Sequence, residues 1–88
     1  MVPPAVESID QTDDFVHVRF RDPDAFDEIR TPDWAANVGE SVVDGAEVRM
    51  GDENGNEDWE VQSVLIPTPV DVDTAEKQAA EIVSKIES

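Results

Sequence analysis

Apolar and polar residues alternate most plainly between Phe15 and Arg21. There FVHVRFR puts Val16, Val18 and Phe20 on one side and Phe15, His17, Arg19 and Arg21 on the other. A period of two marks a strand with one face in a core. Asp22-Pro23 ends it, because proline has no amide to give to a ladder. A second alternating stretch, GAEVRMGDENGNEDWEVQSVLIP from Gly45 to Pro67, is centred on Asn54-Gly55. Asn-Gly tolerates the positive φ angles of a type I′ turn and predicts a two-residue hairpin. That turn would set Met50 against Trp59, Arg49 against Glu60, Val48 against Val61 and Glu47 against Gln62. One face would then be apolar and the other polar, with Asp52 and Glu57 a like-charged mismatch near the tip. Beyond Gln62 the strand carries Val64, Leu65 and Ile66 in succession, apolar towards both faces, before Pro67 and Pro69 close it.

The period turns helical near the end of the chain. Ala75, Ala79, Ile82, Val83 and Ile86 form one apolar stripe, with Glu76, Lys77, Gln78, Glu81, Lys85 and Glu87 around it. Asp73-Thr74-Ala75-Glu76 reads as a capping box with Asp in place of Ser or Thr. Thr31-Pro32-Asp33 predicts another helix start with Thr31 as N-cap. Its Trp34 is expected to plug an edge of the core, with Val38 four residues on and Gly39 as the stop. Asp24 is placed to cap a single turn over residues 25–28. Asp44-Gly45 predicts a tight turn, with Ser41 to Val43 as a short strand beside Ala46 to Met50. Met1 to Asp14 is weakly patterned: Pro3-Pro4 forbids a regular start, Ala5 to Ile9 fits a short edge strand, and Gln11 to Asp14 fits a turn.

These elements add up to a single α+β domain over residues 1–88: a small, mostly antiparallel β-sheet with a C-terminal α-helix packed on one face. The expected core is Val16, Val18, Phe20, Val48, Met50, Trp59, Val61, Leu65, Ile82, Val83 and Ile86. Phe15, Val64 and Ile66 are expected on the opposite face, among the arginines.

Charge changes this picture most. Twenty-two Asp and Glu against six Lys and Arg leave a net charge of −16 on 88 residues. Such a surface keeps a protein soluble but works against the compact state, and this composition often signals disorder. Two Trp, three Phe and the periodic apolar positions argue for a folded chain instead. Folding is then expected where salt screens the repulsion, since the Debye length falls to about 3 Å at 1 M. The bland alternative is an acidic protein of ordinary cytosol. There are no cysteines, so disulfides and thiolate metal sites are excluded. The apolar runs are far too short to span a membrane, and MVPPAVESID lacks a signal peptide's basic region. A cytoplasmic location and no membrane partner are the expectation.

No motif nominates a catalytic residue, a cofactor or a metal ligand. His17 is the single histidine and has no triad-type partner pattern, so it reads as a strand residue on the polar face. A calcium loop starting at Asp52 would need glycine where Glu57 stands and an acid where Ser63 stands. The acids at Asp22, Asp24, Asp27 and Glu28 read as hydrated surface. Arg19, Arg21 and Arg49 stand on strands, away from the main apolar stripe. They are candidates to hold a phosphate or a partner's carboxylate; alternatively they pair with Glu47, Glu60 and other acids within the sheet. Nucleic acid is disfavoured, because the net charge repels it at low salt and counterion release fades at high salt.

VHVRFRDPDAF, together with EVRMG and DWEVQSVLIP, resembles small uncharacterised acidic proteins of salt-loving archaea over Val16 to Pro67. That resemblance implies a habitat and no activity. The functional expectation is a non-enzymatic interaction module, a homodimer burying the second sheet face or a sheet edge. The alternative is an anion-binding domain for a phosphorylated ligand or RNA, using Arg19, Arg21 and Arg49.

Overall fold

The structure, a computed structural model, describes residues 6–22, 24, 26–53 and 59–87, with Asp27, Glu53 and Trp59 described by their backbone. The elements in chain order are β1 (Ser8–Gln11), β2 (Phe15–Arg19), β3 (Phe26–Arg30), α1 (Asp33–Val42), β4 (Glu47–Glu53), β5 (Trp59–Pro67) and α2 (Val72–Glu87). The five strands form one sheet in the order β1-β2-β5-β4-β3, with every neighbouring pair antiparallel. Helix α2 lies across β5 and β2, α1 lies on β4, and the helices touch each other. Both therefore cover the same face. This is the expected α+β fold, with α1 adding to the layer formed by the C-terminal helix.

The core between sheet and helices is one cluster. Val16, Val18, Phe20, Val48, Met50, Val61, Val64 and Ile66 come from the sheet side, Ala35 from α1, and Ala75, Ala79, Ile82 and Val83 from α2. Ile86 is partly buried at its margin. The small side chains on both helices let them lie close to the strands. Gly39 sits mid-helix rather than stopping α1, and a Cβ there would come 3.0 Å from Val48 Cγ2. Trp34 does not plug the core. It is 53% exposed, and Ala35 and Gly39 make the buried face of α1 instead.

Several local expectations move by a residue or more. Pro32 is the N-cap of α1, without a side-chain hydrogen bond, rather than Thr31. Ser41 and Val42 are the last turn of α1, not a strand. Gly45 does make the expected turn, with φ +85 and a hydrogen bond from Ala46 N to Val43 O. The cap of α2 is Asp71 rather than Asp73: its carboxylate accepts from Thr74 N at 3.2 Å and Thr74 Oγ1 at 2.8 Å. Those two bonds hold the Asp71 carboxyl below the usual carboxylate range. Residues 26–28, expected within a single turn capped by Asp24, instead belong to the outer strand β3, which runs on to Arg30.

The β4–β5 register differs from the one an Asn54-Gly55 turn would impose, and residues 54–58 themselves lie outside the described residues. Met50 pairs with Val61, Gly51 with Glu60 and Asp52 with Trp59, two residues away from expectation. Past a bulge, Arg49 pairs with Ser63, Val48 with Val64 and Glu47 with Leu65. The additional residue on β5 is Gln62, whose carbonyl accepts from both Phe20 N and Arg21 N. One inserted residue reverses which side of the sheet the following side chains take. Val61, Val64 and Ile66 thus all face the helices, while Ser63 and Leu65 face away.

Candidate functional site

The helix-free face is built in rows set by strand register. Phe15 on β2 pairs with Pro67 on β5. In the next row His17 and Leu65 stand side by side, with Asp10 of β1 and Glu47 of β4 at the flanks. In the row after that, Ser63 lies between Arg19 and Arg49, with Ser8 outermost. Of the residues expected on this face, Phe15 is there. Val64 and Ile66 are not: both are fully buried in the helix-side core, because the Gln62 bulge turns them over. Leu65, expected in that core, is buried on the opposite face among His17, Glu47 and the arginine row.

The three arginines split into two roles. Arg21 is structural. Its Nη1 donates to Val61 O at 2.7 Å and to Glu87 Oε2 at 3.0 Å, and its Nη2 donates to Glu87 Oε1 at 3.2 Å. Glu87 Oε2 also accepts from Val61 N at 3.0 Å, and Glu60 lies 3.4 Å from Arg21 Nε. Gln62 Nε2 closes the network by donating to Arg21 O, and Ser63 Oγ donates to Gln62 Oε1. The bulge is thus held by the last turn of α2. Charge-assisted bonds of this kind, largely out of water, are among the stronger polar contacts in a fold.

Arg19 and Arg49 remain on the helix-free face with acidic neighbours. Arg19 pairs with Asp10, holding that carboxyl below its ordinary range, and Arg49 lies 3.9 Å from Glu47. His17, two residues before Arg19 on β2, is half-buried, and its Nε2 has no hydrogen-bond partner. Burial first, then the Arg19 and Arg49 charges, push its pKa down to about 4, so it is neutral at pH 7.

A second feature went unseen in the sequence because β3 itself did. The two large hydrophobic side chains exposed among the described residues are Ile29, 37% exposed on β3, and Trp34 just beyond it. Ile29 pairs with Gly51, and so stands on the helix-free side. Phe26, at the other end of β3, lies against Gly51 and is buried there. A cleft of about 590 Å³ lined by Arg30, Thr31, Pro32 and Trp34 continues this edge of the sheet. Arg30 pairs with Glu28 on the same strand at 2.7 Å.

Among the described residues, no three His, Asp or Glu side chains come together to hold a metal ion. Asp22 Oδ1 instead accepts from Asp24 N at 2.9 Å in a local turn. Neither helix is long and apolar enough to cross a membrane. No protein-family model, curated protein or solved structure matches the chain.

Proposed function

We propose that the chain is a non-enzymatic interaction module that forms a homodimer in a cytoplasm of high salt. The observation that carries this reading is that β3, a terminal strand of the sheet, carries the exposed Ile29, with the exposed Trp34 in the helix that directly follows it. An open strand edge with apolar side chains is a template for pairing with another chain unless something covers it. The high-salt setting follows from the charge of −16, which two copies would double within one particle. Light scattering on the purified chain in roughly 2–4 M KCl, where that repulsion is screened, tests the reading. A mass rising with concentration towards twice 9.7 kDa supports it. A monomer at every concentration rejects it.

A second reading, anion recognition, is favoured by His17 Nε2 lying without a partner beside Arg19 and Arg49. Arg21 no longer belongs to it, being engaged with Glu87. Titration calorimetry with inorganic phosphate and pyrophosphate tests this reading. Arg19→Ala and Arg49→Ala would abolish binding without moving the melting temperature; destabilised variants, or no heat of binding, count against it.

A further inference from the structure

Resting on the homodimer reading, we propose where the two copies meet: strand β3 of each pairs antiparallel with its counterpart about a two-fold axis at Ile29. The strand reads Phe26-Asp27-Glu28-Ile29-Arg30, and it ends the sheet on one side. A two-fold axis normal to the sheet keeps each side chain on its own face. A residue can therefore oppose only residues of the same facing, and each allowed register places one residue against itself.

Centring on Glu28 would oppose two carboxylates, and centring on Arg30 would oppose two guanidinium groups. Centring on Ile29 sets Ile29 against Ile29 on the helix-free side. On the helix side it sets Glu28 of each copy against Arg30 of the other. Opposite charges directly across an antiparallel pair are favourable, and like charges are not. Glu28 has an added reason to accept a second cation, because its in-register neighbour on β4 is Asp52. The Glu28–Arg30 pair within each strand becomes part of a four-charge cluster at the join.

The other terminal strand does not offer this. In β1, Ser8-Ile9-Asp10-Gln11 contains no cation, Glu7 precedes it, and Asp10 is engaged with Arg19. Pairing β3 with β1 of a second copy would be head-to-tail and would build a ring or a filament, not a two-fold dimer. The β3–β3 join closes as a dimer, with all four helices on one side of a doubled sheet. Only a few residue pairs meet, so the interface belongs with the small, transient class below about 1,200 Å². Association is therefore expected to depend visibly on concentration.

The chain has no cysteine, which makes the geometry directly testable. Self-opposed residues across an antiparallel pair lie about 4.5–5.5 Å apart at Cα, within the range of about 4.4–6.8 Å that a disulfide accepts. Ile29→Cys is expected to form a disulfide-linked dimer under mild oxidation at least ten times faster than Ser8→Cys, an exposed control at the other edge. Equal rates overturn the proposal. If light scattering shows a dimer that Ile29→Cys does not trap, the register is wrong and the homodimer reading survives. If the native chain is monomeric throughout, both fall.

Charge exchange gives a second arm. Glu28→Arg alone and Arg30→Glu alone are each expected to weaken association about tenfold, and the double exchange to restore it. Both residues are exposed, and a circular dichroism melt verifies that the variants fold. Singles that associate like the native chain, or a double exchange that fails to recover, overturn the proposal.

Discussion

How β3 is seated against β4 can be tested with one methyl group. A Cβ added at Gly51 would lie 2.4 Å from Phe26 Cγ, 2.5 Å from Cδ1 and 2.9 Å from Cδ2, whereas ordinary contact begins at 3.4 Å. The ring must therefore retreat by about 1 Å, and it belongs to a strand paired to Gly51's own. Forcing extra volume into a packed site of this kind costs about 1–3 kcal/mol. Working the other way, alanine restricts the unfolded chain and would favour folding by about 0.4–1 kcal/mol wherever the backbone accepts it. Gly51 is not at positive φ, so its backbone does accept it. Gly51→Ala is expected to lower stability by about 1.3 kcal/mol, the difference between the middles of those two ranges. Urea unfolding at fixed high salt measures this without changing the ionic strength. The decisive comparison repeats the substitution in a Phe26→Ala background. With the ring gone, Gly51→Ala is expected to be neutral or stabilising, giving a coupling of about 1 kcal/mol or more. If Gly51→Ala stabilises both backgrounds alike, Phe26 does not lie on Gly51 and the seating of β3 is wrong.

Two further outcomes follow from the polar contacts. Glu87→Ala removes the acceptor for both Arg21 and Val61 N, and is expected to cost about 1–2 kcal/mol and to speed exchange of the Val61 amide. Glu87→Gln, which keeps one acceptor oxygen, should cost less, and equal losses for the two variants would show that charge alone matters there. His17 has a pKa of about 4 in the fold against 6.5 in the unfolded chain, so unfolding takes up a proton between those values. Its contribution to stability is complete above pH 6.5, declines as pH falls towards 4, and is gone below it. Because burial is the largest cause, an NMR titration of His17 should keep its midpoint well below 6.5 even in molar salt; a midpoint at 6.5 or above contradicts the burial.

What was legible in the sequence is what periodicity carries. Strand β2 and helix α2 have one buried face each, and Val16, Val18, Ala79, Ile82 and Val83 stand where their spacing put them. Strand β3 was not legible because Glu28, Ile29 and Arg30 are all exposed and a register shift interrupts the strand after Phe26. An edge strand wetted on both sides has no period to read. The β4–β5 register failed for a different reason. Gln62 and Ser63 are two polar residues in succession inside an alternating run, a local sign of an inserted residue, and the pull of Asn54-Gly55 hid it. That single insertion turned Val64 and Ile66 inward and Leu65 outward. Trp34 misled by its size, since the close approach of α1 to β4 selects Ala35 and Gly39 at the contact. The position of Arg19 and Arg49 away from the helix-side core was readable, but Arg21's engagement with Glu87 at the end of α2 joins residues 66 apart in the chain. No local pattern encodes such a contact.

Hydrogen exchange by mass spectrometry at two protein concentrations in concentrated KCl probes the pairing edge most directly. Amides of residues 26–30 are expected to gain protection as concentration rises, while those of residues 8–11, at the opposite edge, exchange at an unchanged rate. Protection that rises at residues 8–11 instead, or at neither edge, would contradict association through β3.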